Sequence, residues 1–430
     1  MSLALVSFLL TFLLFLLGGL PIAWSMLLAA IVWMLVSGEL VFLMIVPDKI
    51  FIGIDVFILM SVPLFILVGE LLNTGKITDR LVHFANQFFG WISGGLAQVN
   101  IGSSILFSGI TGVALGDIAA LGRVFIPAMV KQGYSAEYAA AVTASSSIIG
   151  PMVPPSLIII IYGAATGVSI GALFAACVLP GLCVGLTQML LVWRQAKQRA
   201  YKPVEADRSG RALVSSAGHS LIPLMVPVII LAGILGGIMT PTEAGAVAAC
   251  YAMLVAFGFY RSLQLKDLYG IFARTMSFSG KLLIIVGCGA VFSLVMAIEN
   301  VPELIQTAIQ QANLSPFATL VIANLVLLCV GMFIDPTAAI ILFAPILSKV
   351  AIAVGIDPVH FGVIMILNLN LGLLTPPLGI CLFAAEEIAD CGLPALIRET
   401  LPFLLVSFLV LILVTYLPGL SLWLPGVLGF

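Results

Sequence analysis

The chain has 430 residues, of which 62% are hydrophobic and only 8% are Asp, Glu, Lys or Arg, with a formal net charge of −2. A soluble domain carries roughly a quarter charged residues, and here no long polar block interrupts the apolar runs, so a soluble catalytic domain is excluded and no nucleic-acid partner is expected. Seven cysteines lack CxxC or Cys/His metal spacing, and most lie in apolar runs where Cys acts as a small hydrophobe, which points to neither a disulfide framework nor a metal centre.

Apolar stretches close to the ~20 residues that a helix needs to cross hydrocarbon recur from end to end. The first, LALVSFLLTFLLFLLGGLPIAW from Leu3, has no basic leader and is followed at once by another span, so it reads as a membrane helix rather than a cleaved signal. Spans are expected at 3–18, 21–36 and 51–73, then an amphipathic stretch at 76–92, a hairpin at 95–130 broken around SGITGVALGD, an interrupted span at 135–168 and a span at 171–193. The most polar stretch, RQAKQRAYKPVEADRSGR from Arg194 to Arg211, reads as a cytoplasmic linker over 194–217. The second half then repeats the order: spans at 218–240, 242–260 and 276–298, an amphipathic ENVPELIQTAIQQA, a hairpin at 316–354 broken around GMFIDP, an interrupted span at 358–388 and a span at 399–418.

The expected architecture is therefore an all-α membrane protein with about ten full spans, two re-entrant hairpins and two broken helices, divided into repeats at 1–193 and 218–430. Each half has an odd number of crossings, so the halves lie in opposite orientations. Anchoring the linker inside places Lys76, Arg80, Lys131, Arg261, Lys266, Arg274, Lys281 and Arg398 at or near the inner face and leaves Lys49 and Lys349 outside, the asymmetry of the positive-inside rule.

The two interrupted spans share one pattern. SSSIIGPMVPPS and LNLNLGLLTPPL align with Gly150 on Gly372 and Pro154-Pro155 on Pro376-Pro377, a constant offset of 222 residues. In hydrocarbon every backbone N–H and C=O needs a partner, so a mid-span break survives only where it is buried in protein or lines a polar cavity. Paired breaks in corresponding halves mark a transporter's midplane site, where freed carbonyls can hold a cation and half-helix N-termini suit an anion.

Asp117, ten residues before Pro127, is echoed by Asp335, ten before Pro345. Acids inside a membrane are functional candidates by default, and these two can ligate sodium, cap the returning hairpin arm or carry a proton. Around them stand oxygen donors that suit a small hard cation: Ser108, Thr111, Ser145, Ser146 and Ser147 in the first half, and Thr337, Asn368, Asn370 and Thr375 in the second. Arg123 can grip a substrate carboxylate, snorkel to the interface or pair with Asp117. His360 is noted for its nearness to the second break. In TPTE, Thr240 to Glu243, the pattern is that of a helix N-terminus.

At these residues the sequence resembles the large membrane subunit of the tripartite ATP-independent periplasmic (TRAP) transporters: TASSSIIGPMVPPS, GIMTPTEAGAVAA, VGMFIDPTAAIILFAPI and VGIDPVHFGVIMILNLNLGLLTPPLG are similar to that family's motifs in the same order. The resemblance implies an elevator-type secondary transporter of the bacterial inner membrane, driven by sodium ions and needing no other cofactor. Its implied partners are a small four-helix membrane subunit and a soluble periplasmic binding protein that captures an organic acid such as a C4-dicarboxylate, sialic acid or another sugar acid. The implied ion sites fall at Thr111, Gly112 and on to Asp117, at Ser145 to Gly150 with Pro154 just beyond, at Gly331 to Thr337, and at Asn368 to Pro376, with Arg123, Asn370 and His360 as substrate candidates. Relatives often carry Ser-Gly-Ser before the first Asp, whereas this chain has Thr111-Gly112-Val113 and lacks the second hydroxyl. A standalone sodium–carboxylate symporter of related fold is the alternative; a channel would not need two occluding hairpins, and no arrangement for intramembrane hydrolysis is present.

Overall fold

The computed structural model describes residues 2–75, 78–201, 203 and 210–430, and for 78–81, 83, 107–111 and 210–221 the course of the backbone only. Among the described residues the chain is helical, without a strand. In the first half α1 (Leu3–Leu17), α2 (Ile22–Ser37), α3 (Val41–Ile54) and α4 (Ser61–Thr74) lead to the amphipathic α5 (Thr78–Phe89). The hairpin follows as α6 (Gly95–Thr111), α7 (Ala114–Asp117) and α8 (Arg123–Lys131), with one π-helical turn at Ile118–Gly122 between the last two. The interrupted span is α9 (Ala136–Ser147) and α10 (Leu157–Thr166), and α11 (Ile170–Arg199) closes the half.

In the second half the helices are α12 (Gly210–Leu235), α13 (Pro241–Leu254), α14 (Leu265–Ile298) and the amphipathic α15 (Val301–Gln311). The hairpin is α16 (Pro316–Gly331) and α17 (Pro336–Ala353), the interrupted span α18 (Pro358–Gly372) and α19 (Ile380–Ala389), and the last helices are α20 (Leu393–Tyr416) and α21 (Gly419–Leu428). The outer bounds of α6–α8, α9–α10, α16–α17 and α18–α19 lie within a residue or two of 95–130, 135–168, 316–354 and 358–388. Differences gather where polarity misled. The chain α14 starts at Leu265 rather than near 276, and α11 runs through Arg199 into the stretch read as linker, because Gln, Ala, Lys and Arg are good helix formers whatever the solvent. Helices α3 and α21 were not anticipated, and Lys76 and the linker residues Lys202 and 204–209 lie outside the described residues.

Six helices are long and apolar enough to cross a membrane among the described residues, Phe57–Thr74, Ile170–Arg199, Pro241–Phe259, Leu265–Ile298, Pro336–Ala353 and Leu393–Tyr416. One of these contains the returning hairpin arm α17, so length alone does not separate a re-entrant arm from a span.

The interrupted helices form the centre. Every residue of 138–152, 154–163 and 360–375 is buried. Lipid is as apolar as Leu, so this packing rests on close van der Waals contact and interhelical hydrogen bonds rather than on expulsion of water, and small residues such as Ala139, Ala140 and Ala141 allow the approach. Against this centre α6, α8, α19 and α20 pack on α9, while α16, α17 and α11 pack on α18. A second layer joins α1 to α2, both α2 and α3 to α14, and α4 to α13 and α14. Its own core holds Phe8 and Phe12 around Phe292, with ring centroids 4.4 and 5.2 Å away.

The two amphipathic helices leave this second layer at tethered points. Before α15, Glu299 accepts hydrogen bonds from Trp33 Nε1 and Ser2 Oγ, both at 2.7 Å. Before α5, Arg274 of α14 donates to Glu70 Oε2 at 2.7 Å and to Thr74 Oγ1 at 3.0 Å. The expected N-terminus at TPTE is a complete capping box: Thr240 Oγ1 accepts from Glu243 N, and Glu243 Oε2 accepts from Thr240 N at 2.8 Å.

Candidate functional site

In the second half the hairpin turns at Asp335. Its backbone is extended, its Oδ1 accepts from Thr337 N at 2.9 Å, and Pro336 fills the first helical position, where a missing N–H costs nothing. The α16 arm ends at Gly331 and α18 ends at Gly372, and these two glycines meet backbone to backbone. A Cβ on Gly372 would overlap the Gly331 carbonyl carbon and stand 2.6 Å from its Cα and O. Beyond the break, Thr375 Oγ1 donates to Leu371 O at 2.8 Å, the Pro376–Pro377 bond is cis, and α19 begins after Gly379. Asn368 Nδ2 donates to Asn324 Oδ1 at 2.7 Å and Asn324 O at 2.9 Å, which fixes the broken helix to the outgoing hairpin arm.

The first half uses different chemistry for the same contact. Gly112 (φ +58°) brings the tip against the start of α10, where its Cβ position lies 3.0 Å from Leu157 N and 3.4 Å from Ser156 Cα. Asp117 is 1% exposed, and its Oδ2 lies so close over Gly150 that a methyl there would overlap it. Ser104 Oγ donates to Ser146 Oγ at 2.9 Å, the counterpart of the Asn324–Asn368 tie, and Asn100 Nδ2 donates to Thr143 Oγ1 at 2.7 Å. Ser147 Oγ bonds Ala144 O at 2.8 Å and reaches Cys381 Sγ at 3.8 Å, where α9 crosses α19. The Pro154–Pro155 bond is cis, as in the second break.

The echo between Asp117 and Asp335 is not a structural equivalence. At the constant offset of the breaks, Asp335 matches Val113, and Val113 is the residue that caps α7 without a side-chain bond. Asp117 sits at the end of that short helix instead and works against the break. Arg123 is exposed, and neither ion pair among the described residues includes it, so the pairing with Asp117 is not formed. His360 lies in the first turn of α18, twelve residues and therefore about 18 Å along the helix from Gly372. Its ring meets Ser421 Oγ at 2.7 Å and Thr415 O at 3.3 Å, which ties α18 to α20 and α21. Asn370 Nδ2 turns back to Ile366 O at 2.7 Å. The side chains of Ser108 and Thr111 lie outside the described residues. Asn324, Ser104 and Gln188, which donates to Ser145 O at 2.9 Å and Ser407 Oγ at 3.2 Å, were missed because each stands outside the paired Gly-x-x-x-Pro-Pro pattern.

Several buried oxygens at the breaks and the hairpin arm have no hydrogen-bond partner among the described residues: Ser103 Oγ, Ser145 Oγ, Ser156 Oγ, Asn368 Oδ1 and Asn370 Oδ1. Such atoms cost free energy unless something pairs with them, and oxygen donors without sulfur or imidazole suit an alkali cation. Among the described residues no His, Cys, Asp and Glu cluster is arranged to hold a metal. Both half-helices after the breaks, α10 and α19, start without a side-chain cap, so their N–H groups and positive dipole ends point at the breaks. Access differs between halves: Pro154, Pro155 and Ser156 are buried, whereas Asp335 and Pro376 to Leu378 are exposed.

The chain is similar to known proteins in sequence and in fold. The family described as tripartite ATP-independent periplasmic transporter, DctM component, matches residues 9–420. The C4-dicarboxylate TRAP transporter large permease DctM of Pseudomonas aeruginosa is 37% identical over 91% of this chain and 93% of its own. The sialic acid TRAP transporter large permease SiaM of Vibrio cholerae is 38% identical over 95% of each chain. The isethionate TRAP transporter permease DctMQ of Oleidesulfovibrio alaskensis is 36% identical over 96% of this chain, which spans only 65% of that longer relative. In solved structures the fold is similar to that of the YdaH transporter of Alcanivorax borkumensis, with a TM-score of 0.61 at 14% identity over 92% of this chain and 89% of that one. MtrF of Neisseria gonorrhoeae gives 0.58 at 14% identity over 88% and 84%.

Proposed function

The chain belongs to the tripartite ATP-independent periplasmic transporter family as a DctM component, a transporter subunit rather than an enzyme, and from that premise we propose that it is the large membrane subunit of a sodium-coupled, binding-protein-dependent importer of an organic acid. The observation that carries this reading is the contact of each hairpin tip with a break, Asp117 on Gly150 and Gly331 on Gly372, beside buried oxygens that lack partners among the described residues.

In this reading sodium ions are the coupling substrate. Backbone carbonyls and hydroxyls at 145–150 and 368–376 ligate them, Asp117 supplies charge at the first break, and Asp335 both holds the second tip rigid and supplies charge at the second break. The uncapped starts of α10 and α19 face the organic anion. Hairpins and broken helices move as one unit against the layer built on α14, and the two inverted halves give the unit its inward and outward positions. Moving charge against the membrane potential costs about 2.3 kcal/mol per charge per 100 mV, which several sodium ions per cycle offset. The bacterial inner membrane is its place, a small four-helix membrane protein its partner there, and a periplasmic protein its source of substrate. The fused DctMQ relative, of whose length the match covers 65%, supports the small-subunit partner.

Reconstitution tests it. The chain and a neighbouring small membrane subunit in proteoliposomes, under an inward sodium gradient, take up organic acid only when the soluble binding protein is present. Uptake with sodium alone turns the reading to a standalone symporter, and uptake indifferent to sodium overturns it.

A further inference from the structure

A crevice of about 410 Å³ opens between α3 and α14 on one side and α10 and α17 on the other. That volume lies in the range of sites for small molecules. Its walls are apolar or small, among them Ile52, Ile161, Ala164, Ala290 and Ile341, and the polar side chains are two, Lys49 and Ser293. None of the candidate ion-site residues lines it. Lys49 is half-buried, and neither ion pair among the described residues includes it.

This lining rejects a dicarboxylate or sugar acid. Each carboxylate and hydroxyl of such a ligand would need a partner once out of water, and the crevice offers one ammonium and one hydroxyl. A single cation beside an apolar slot matches an amphiphile with one acidic head and an alkyl tail, the chemistry of an anionic phospholipid, whose phosphate a lysine ammonium can pair with as a point charge. Lysine also stretches its alkyl stem along apolar surface while its charge seeks the interface.

We propose that this crevice binds an anionic membrane phospholipid, with one acyl chain between α14 and α17 and the headgroup phosphate at Lys49. The site separates the layer built on α14 from the broken-helix centre, so its occupant lies across the surface on which the two would slide.

Binding is measured without transport. The purified chain goes into phosphatidylethanolamine vesicles carrying a trace of phosphatidylglycerol with a diazirine acyl chain, and adducts are mapped after illumination. The expected adducts concentrate on 49–59, 161–165, 286–294 and 341–345. Lys49→Ala lowers them at least fivefold, Lys49→Arg restores them, and unlabelled phosphatidylglycerol competes while added phosphatidylethanolamine does not. Ala164→Phe, which fills the slot, lowers them as well, and Lys49→Ala alone decides if that variant does not fold. Adducts spread evenly over the lipid-facing helices, labelling unchanged in Lys49→Ala, or displacement by millimolar succinate or N-acetylneuraminate rather than by lipid would overturn the proposal.

Discussion

Replacing Gly372 with alanine probes the contact between the second hairpin tip and the second break. The added methyl overlaps the Gly331 carbonyl carbon and stands 2.6 Å from Gly331 Cα and O, where carbon atoms prefer roughly 3.5 to 4 Å. The tip must retreat by about 1 Å. Because backbone lies on both sides, no side-chain rotation can absorb the overlap, and of the ~1–3 kcal/mol that overpacking costs the upper part, about 2–3 kcal/mol, applies here. Alanine returns up to ~1 kcal/mol through helix propensity, which leaves a net cost of about 1–2 kcal/mol against the docked tip. At ~1.4 kcal/mol per tenfold, the ratio of docked to undocked tip falls by about 5- to 30-fold. Initial sodium-driven uptake in proteoliposomes should fall at least fivefold, and the sodium concentration for half-maximal uptake should rise, while the amount of protein in the membrane is unchanged. Gly280→Ala on α14, whose new methyl meets nothing within 4 Å, should behave as wild type. Wild-type uptake and sodium dependence in Gly372→Ala would refute the reasoning.

Gly112→Ala combines a left-handed backbone with a Cβ 3.0 Å from Leu157 N; at roughly 1–2 kcal/mol for the backbone alone, sodium-driven uptake should fall by about tenfold. Glu299→Ala removes the acceptor of Trp33, a side chain only 2% exposed, and should lower stability by ~1–3 kcal/mol, read as an earlier thermal transition of the purified chain. Arg199→Ala breaks the ion pair in which Nη2 donates to both oxygens of Glu399, with side chains 35% and 25% exposed; a partly exposed pair contributes ~0.2–1 kcal/mol, and uptake should stay within twofold of wild type.

The hairpins and breaks were legible because Gly and Pro leave marks that survive any background of apolar residues. Pro154-Pro155 and Pro376-Pro377 end helices by removing donors, and their constant offset revealed the pairing. Side-chain roles were less legible. Asp117 and Asp335 share a spacing to proline but not a position: one lies over Gly150, and the other caps α17 where the first half has Val113. His360 looked close to the break in sequence, yet a helix that rises 1.5 Å per residue carries it about 18 Å away. The ties Ser104 to Ser146 and Asn324 to Asn368 join helices more than 40 residues apart, and no local pattern announces them.

Equilibrium binding of radiolabelled sodium to the purified chain, compared with Asp335→Asn, tests the central claim most directly, because asparagine keeps the cap on α17 while removing the charge. The account predicts saturable binding that potassium does not displace, weakened in Asp335→Asn and in Gly372→Ala. Wild-type protein that shows no saturable sodium binding, or binding that survives both substitutions unchanged, would contradict it.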